Sequence, residues 1–173
     1  MIKFDGEGTQ AEILCAYQFN GKLTQQLEHQ YKDIDLFIKS KQGEWKSCSV
    51  KDQLRGTTRG FTSVQVELEL IDTDTNESIQ GCFYTNQSDY YFWRVFWEGE
   101  SHWCVLESSA LKEFVEEHMD SLKKWTTSTT TNQKNRAMGR KYNMAAGVEV
   151  ELEDFDKLGK WIPVKSLAPT EEE

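Results

Sequence analysis

Residues 33–53 read D-I-D-L-F-I-K-S-K-Q-G-E-W-K-S-C-S-V-K-D-Q, and their periodicity sets the fold class. Ile34, Leu36 and Ile38 alternate with Asp33, Asp35 and Phe37, the pattern of a strand with one apolar face. Lys41-Gln42-Gly43-Glu44 supplies a hairpin turn. In the run that follows, Cys48 and Val50 fall on one face, with Ser47, Ser49, Lys51 and Gln53 on the other. Beyond a Gly- and Thr-containing loop at 56–60, Val64, Val66, Leu68 and Leu70 alternate with Gln65, Glu67 and Glu69. Three successive strands in an antiparallel meander are expected.

Upstream, Thr9 opens a capping box, T-Q-A-E, completed by Glu12. Ile13, Leu14, Tyr17 and Gln18 follow at helical spacing, and Asn20-Gly21 ends the helix, predicted over about 10–20. Downstream, Asn86 to Asp89 reads as a turn or a single helical turn, and 90–97 is too aromatic and β-prone for a helix. Gly99 turns that run into H-W-C-V-L. Ser108 or Ser109 caps a helix over 109–124, with Leu111, Phe114, Val115, His118, Met119 and Leu122 as its apolar stripe and His118 packed in the core. Residues 126–147 read as a flexible basic segment, 148–165 regain strand character, and 168–173 form an acidic tail. The expectation is one α/β domain of the α+β type over 1–173. It has an N-terminal helix, a central mixed or antiparallel sheet of about five strands and one long amphipathic helix.

The net charge of −9 is unevenly spread. Between Ser121 and Val148 there is no acid, and Lys123, Lys124, Lys134, Arg136, Arg140 and Lys141 contribute +6, leaving −15 elsewhere. Arg55 and Arg59 form a second basic cluster after Lys51. These cations serve either as a solvated surface or as phosphate contacts, since local charge governs partners more than the average does. Cys15, Cys48, Cys82 and Cys104 lack the spacing of a zinc knuckle and read as free thiols in a reducing compartment; no histidine is marked as partner for a catalytic cysteine. The sequence lacks a signal-peptide h-region and any apolar run of membrane-spanning length, so a cytoplasmic protein is expected.

A helix bearing Glu12, a strand carrying Asp33 and Asp35, and a strand ending S-V-K-D-Q together resemble the PD-(D/E)XK nuclease superfamily. That group includes restriction endonucleases, archaeal Holliday-junction resolvases and phage exonucleases. The resemblance covers roughly residues 9–70 and implies a restriction-endonuclease-like core. It makes Asp35 the metal-binding aspartate, Lys51 the catalytic lysine, Glu12 the helix glutamate of resolvase-like members and Gln53 the polar residue after the lysine. The implied activity is hydrolysis of DNA phosphodiester bonds with Mg²⁺ or Mn²⁺. Two departures stand out: no proline precedes Asp33 or Asp35, and Ser49 occupies the acid position of the acid-x-Lys triplet. Glu67 or Glu12 is the candidate replacement ligand.

Such residues would gather for a chemical reason. Divalent metals lower the pKa of bound water and neutralise phosphate charge. Mg²⁺ favours hard oxygens and usually one or two protein carboxylates, and a lysine beside it can stabilise developing charge. Adjacent strands would bring Asp35, Lys51 and Glu67 to one side, leaving Arg55, Arg59, Lys134, Arg136, Arg140 and Lys141 to contact the DNA backbone. Other assignments remain open. Glu12 could be only half of a capping box, Glu67 and Glu69 a solvated sheet face, and the choice between Asp33 and Asp35 is not settled by periodicity. Tyr90, Tyr91, Phe92, Trp93, Phe96 and Trp97 read as core more readily than as base-stacking surfaces. The competing functional class is a non-catalytic acidic binding protein, either a DNA-mimic inhibitor of a nucleic-acid enzyme or an inactive nuclease-like module. A third class is an assembly protein. Monomer and homodimer are both compatible with the sequence.

Overall fold

The computed structural model describes residues 7–24, 26–128 and 142–166. Within them the chain is mixed α/β, with six helices and ten strands in two sheets. In order these are α1 (Glu7–Phe19), β1 (Lys22–Leu23), α2 (Leu27–Tyr31), β2 (Leu36–Lys39), β3 (Trp45–Asp52), α3 (Leu54–Thr58), β4 (Ser63–Ile71) and β5 (Ser78–Gln80). There follow α4 (Cys82–Thr85), β6 (Tyr90–Trp97), β7 (Glu100–Glu107), α5 (Ser108–His118), β8 (Lys124–Ser128), β9 (Met144–Glu151), α6 (Leu152–Leu158) and β10 (Lys160–Pro163).

The six-stranded sheet has the order β1-β2-β3-β6-β7-β10, and the four-stranded sheet has the order β5-β4-β9-β8. The expected hairpin forms: β2 pairs antiparallel with β3, closed by Ser40 N–H donating to the Glu44 carbonyl at 2.7 Å and by Gly43 at φ 84°. The expected meander does not. β3 takes β6 as its second neighbour, in parallel, while β4 pairs with β5 and β9. Parallel strands cannot be joined by a tight turn. The crossover from β3 to β6 is the stretch containing α3, β4, β5 and α4, and it carries β4 into the other sheet.

β6 explains the aromatic run. It lies between β3 and β7, with both faces covered. Tyr91, Trp93 and Val95 point into the core shared with Val64 and Val66 of β4 and Val148 and Val150 of β9. Phe92 points the other way, toward Cys48, Val50 and the α1 residues Ala11, Leu14 and Cys15. The face of β3 carrying Ser49 and Lys51 is therefore opposite the one packed by α1. Gly147 lets the second sheet close, because a Cβ there would lie 1.9 Å from the Val66 carbonyl oxygen.

The 109–124 helix stops early. α5 ends at His118, and Lys124–Ser128 instead form β8 against β9, so both ends of the expected 126–147 flexible segment are strand. Met119 and Leu122 still reach the core, beyond the helix end. His118 is exposed, stacked on Phe114 at 4.4 Å, rather than buried in the core. Residues 168–173 lie outside the described residues. No helix among the described residues is long and apolar enough to cross a membrane.

Candidate active site

β2 stops short of the end of β3, and the site occupies that gap. The paired residues end at Leu36 opposite Cys48, leaving Ser49 to Asp52 to run on beside β6. Asp35 N–H donates to the Cys48 carbonyl at 2.9 Å, and Asp35 Oδ2 then accepts from Val50 N–H at 2.7 Å. A carboxylate thus replaces the missing strand as partner for a backbone donor.

Asp33 does not belong to the strand. It sits in the turn that closes α2, at φ 57°, where Ile34 N–H donates to the His29 carbonyl at 2.9 Å. Aspartate tolerates this left-handed conformation better than most residues. Its carboxylate receives Lys51 Nζ at 2.7 and 3.0 Å and Ser49 Oγ at 3.0 Å. Ser49, at the acid position of the triplet, is thus a buried donor to Asp33 rather than a ligand in waiting.

Glu12 comes from α1. That helix starts at Glu7, so Thr9 lies within its first turn and is not its N-cap residue. Glu12 instead lies within electrostatic reach of Asp35. Burial, Asp33 and Glu12 together hold the Asp35 carboxyl well above the ordinary aspartate range. Burial also raises Glu12. Burial opposes the charge on Lys51, but Asp33 outweighs it and keeps the ammonium well above its ordinary range. The cluster therefore holds three carboxyl groups and one ammonium, and Asp33 already has the ammonium's closest contact. Two half-buried neighbouring carboxyls repel when both ionise, an effect that Lys51 offsets in part.

These hard oxygens suit Mg²⁺ or Mn²⁺, and two protein carboxylates is a usual number for Mg²⁺. A cation at the Glu12–Asp35 pair would relieve the repulsion that sets in when both ionise. No cage of three or more His, Cys, Asp or Glu side chains arranged for a metal occurs among the described residues. Glu67, the expected third ligand, is not delivered to the pair. It stands on β4 of the other sheet, where Oε1 accepts from Cys82 N–H at 3.2 Å.

Lys51 also borders a cleft of about 510 Å³ between the two sheets, which Gln53, Gln65, Glu67, Trp93 and Trp125 help to line. Gln65 and Trp125 were not legible as site residues, because β4 and β8 meet β3 only through tertiary packing; Trp93, read as core, reaches the cleft because β6 pairs in parallel with β3 and sets it opposite Lys51. At the β3 end, Arg94 holds Asp52 by a bidentate, buried pair at 2.6 and 3.0 Å, fixing the backbone that presents Lys51 and Gln53. Arg55 and Arg59 are exposed, on α3 and just past its end. Lys134, Arg136, Arg140 and Lys141 lie outside the described residues. Asp89 is structural: its Oδ2 accepts from Ser47 N–H at 2.9 Å and Ser47 Oγ at 3.1 Å. The four cysteines are free, and burial pushes Cys48 and Cys104 up to about 12, which disfavours thiolate chemistry at either.

No protein-family model and no characterised protein matches this sequence at a significant level, so the residues of the site itself bear the functional argument.

Proposed function

We propose that the chain is a metal-dependent nuclease that hydrolyses DNA phosphodiester bonds. Glu12 and Asp35 would hold Mg²⁺ or Mn²⁺, with Lys51 beside them. One observation supports this reading most: Asp35 stands beside the end of β3 that β2 leaves uncovered, its Oδ2 accepting from Val50 N–H, and the next residue of that strand, Lys51, is held by Asp33 and opens onto a cleft. A carboxyl raised by burial and like-charged neighbours, next to a lysine that lines a cleft, is a candidate functional site.

The bound metal would supply an activated water and neutralise phosphate charge. This chain's residues do the rest. Lys51, kept protonated by Asp33, stabilises charge developing on the phosphate. Asp33 and Ser49 set the position of that ammonium, and Gln53 orients the substrate from the same cleft wall. Arg55 and Arg59 contact flanking phosphates, which positions DNA without selecting sequence. A restriction-endonuclease-like core and a cytoplasmic setting accompany this proposal.

An acidic DNA mimic accounts less well for the site. A mimic must display its carboxylates to a partner, whereas Asp33 is engaged by Lys51 and Asp35 by Val50 N–H.

The test is cleavage of linear, circular and single-stranded DNA by purified protein with Mg²⁺ or Mn²⁺, beside Asp35→Ala. Metal-dependent cutting lost in the variant is expected. A folded wild-type protein that cuts none of these substrates, or an Asp35→Ala protein that cuts at the wild-type rate, ends the proposal.

A further inference from the structure

The cleft beside Lys51 is larger than phosphate chemistry requires, and its lining is of a different kind from the carboxylate cluster. Its volume of about 510 Å³ falls within the roughly 300–1,000 Å³ of small-molecule sites. Two indoles border it, Trp93 on β6 and Trp125 on β8, and two primary amides face it, Gln53 on β3 and Gln65 on β4. Trp125 spends its indole N–H on the Val148 carbonyl at 2.9 Å, leaving its ring as a contact surface. The Trp93 indole N–H is buried and has no hydrogen-bond acceptor among the described residues. Buried donors are normally satisfied, so one left open in the wall of a cleft points to an acceptor brought by a ligand.

We propose that this cleft receives one unpaired nucleotide of the substrate strand, its base against the Trp125 and Trp93 side and its phosphate toward Lys51. Indoles, amides able to both donate and accept, and a cation held in place by Asp33 match a base, its edge and its phosphate respectively. A flat base within a duplex cannot enter, because its faces are covered by its neighbours and its edge by its partner. The inference rests on the nuclease reading and deepens it: the substrate is a single strand, a frayed end or a flap rather than intact duplex.

Two measurements test it. Calorimetric titration of the metal-free protein in EDTA uses a deoxynucleoside 5′-monophosphate, with inorganic phosphate as control. Saturable binding of the nucleotide, not matched by phosphate, is expected. Trp125→Leu should weaken it roughly tenfold. The exposed residue Gln65 provides a second variant, Gln65→Ala, that weakens binding without touching the core. In the cleavage arm, a single strand should be cut at least about tenfold faster than the same sequence in a blunt duplex. Absent nucleotide binding, undiminished binding in both variants, or equal cutting of duplex and single strand overturns the proposal. Nucleotide binding by a protein that cuts no DNA would support the cleft assignment while removing the nuclease reading, so the two fail separately.

Discussion

Asp35→Asn is the perturbation whose outcome the site's electrostatics determine most directly. In the metal-free protein Asp35 is half-buried near Asp33 and Glu12, and the adjacent cation, Lys51, is bonded to Asp33. Its folded-state pKa is raised above the unfolded value, as is that of Glu12. For an acid, a raised folded pKa means that the folded state binds the proton more tightly. This favours folding below the unfolded pKa, and the advantage is lost as pH climbs through the folded pKa. At neutral pH the folded protein therefore carries the cost of the crowded carboxylates. Asparagine removes one charge and keeps the geometry: its Oδ1 can accept from Val50 N–H, and its Nδ2 can donate to Glu12. The variant should gain about 1–2 kcal/mol at pH 7, the scale of single stabilising substitutions. For a domain of this size that raises Tm by about 2–8 °C. The gain should shrink as pH falls below about 4, where an ordinary unfolded carboxyl is itself protonated. Thermal unfolding in EDTA at several pH values, followed by circular dichroism, reads this directly. Saturating Mg²⁺ should add about 1.4 kcal/mol to the wild type for a tenfold excess over Kd, and little to the variant. A destabilised Asp35→Asn protein at pH 7, or an equal Mg²⁺ effect in both proteins, would refute the electrostatic account of the site.

Three further outcomes follow from the same geometry. Lys51→Met should lower cleavage at least about 100-fold, as loss of a charge-stabilising donor does. In EDTA melts it should also destabilise the fold, whereas Asp33→Asn combined with Lys51→Met should recover part of that loss, because a broken buried pair costs more than an absent one. Glu67→Gln should leave the Mg²⁺-induced Tm shift unchanged, since its carboxylate serves Cys82 N–H in the other sheet; a lost shift would return Glu67 to the metal. Gly147→Ala should cost about 1–3 kcal/mol or more in a urea titration, because its methyl would collide with the Val66 carbonyl oxygen. Wild-type stability in that variant would contradict the closeness of β4 and β9.

What was legible in the sequence is what depends on neighbours along the chain. Alternation from Leu36 to Ile38 and from Ser47 to Lys51 revealed the β2–β3 hairpin, and Asn20-Gly21 marked the end of α1, with Asn20 adopting φ 54°. The same periodicity placed Ser49 and Lys51 on the face opposite Val50, and Asp35 among the candidates around them. Periodicity gave no basis for choosing Asp35 over Asp33. Tertiary structure separates the two: the turn after α2 leaves Asp33 to fix Lys51, whereas Asp35 lies near Glu12 of α1.

The amphipathic reading of 109–124 failed because Met119 and Leu122 bury equally well from a non-helical turn, after which β8 is claimed by β9. Glu67, expected beside Asp35 and Lys51, reaches the Lys51 cleft from the other sheet. Alternation says which way a side chain points from its own strand, but strand order depends on which apolar faces can be buried together. Both faces of β6 are apolar, so it is the strand able to lie between β3 and β7. β4 then carries Gln65 across to form the far wall of the cleft. Local spacing thus determined the residues available for chemistry, and burial of the two sheets against each other decided which of them meet.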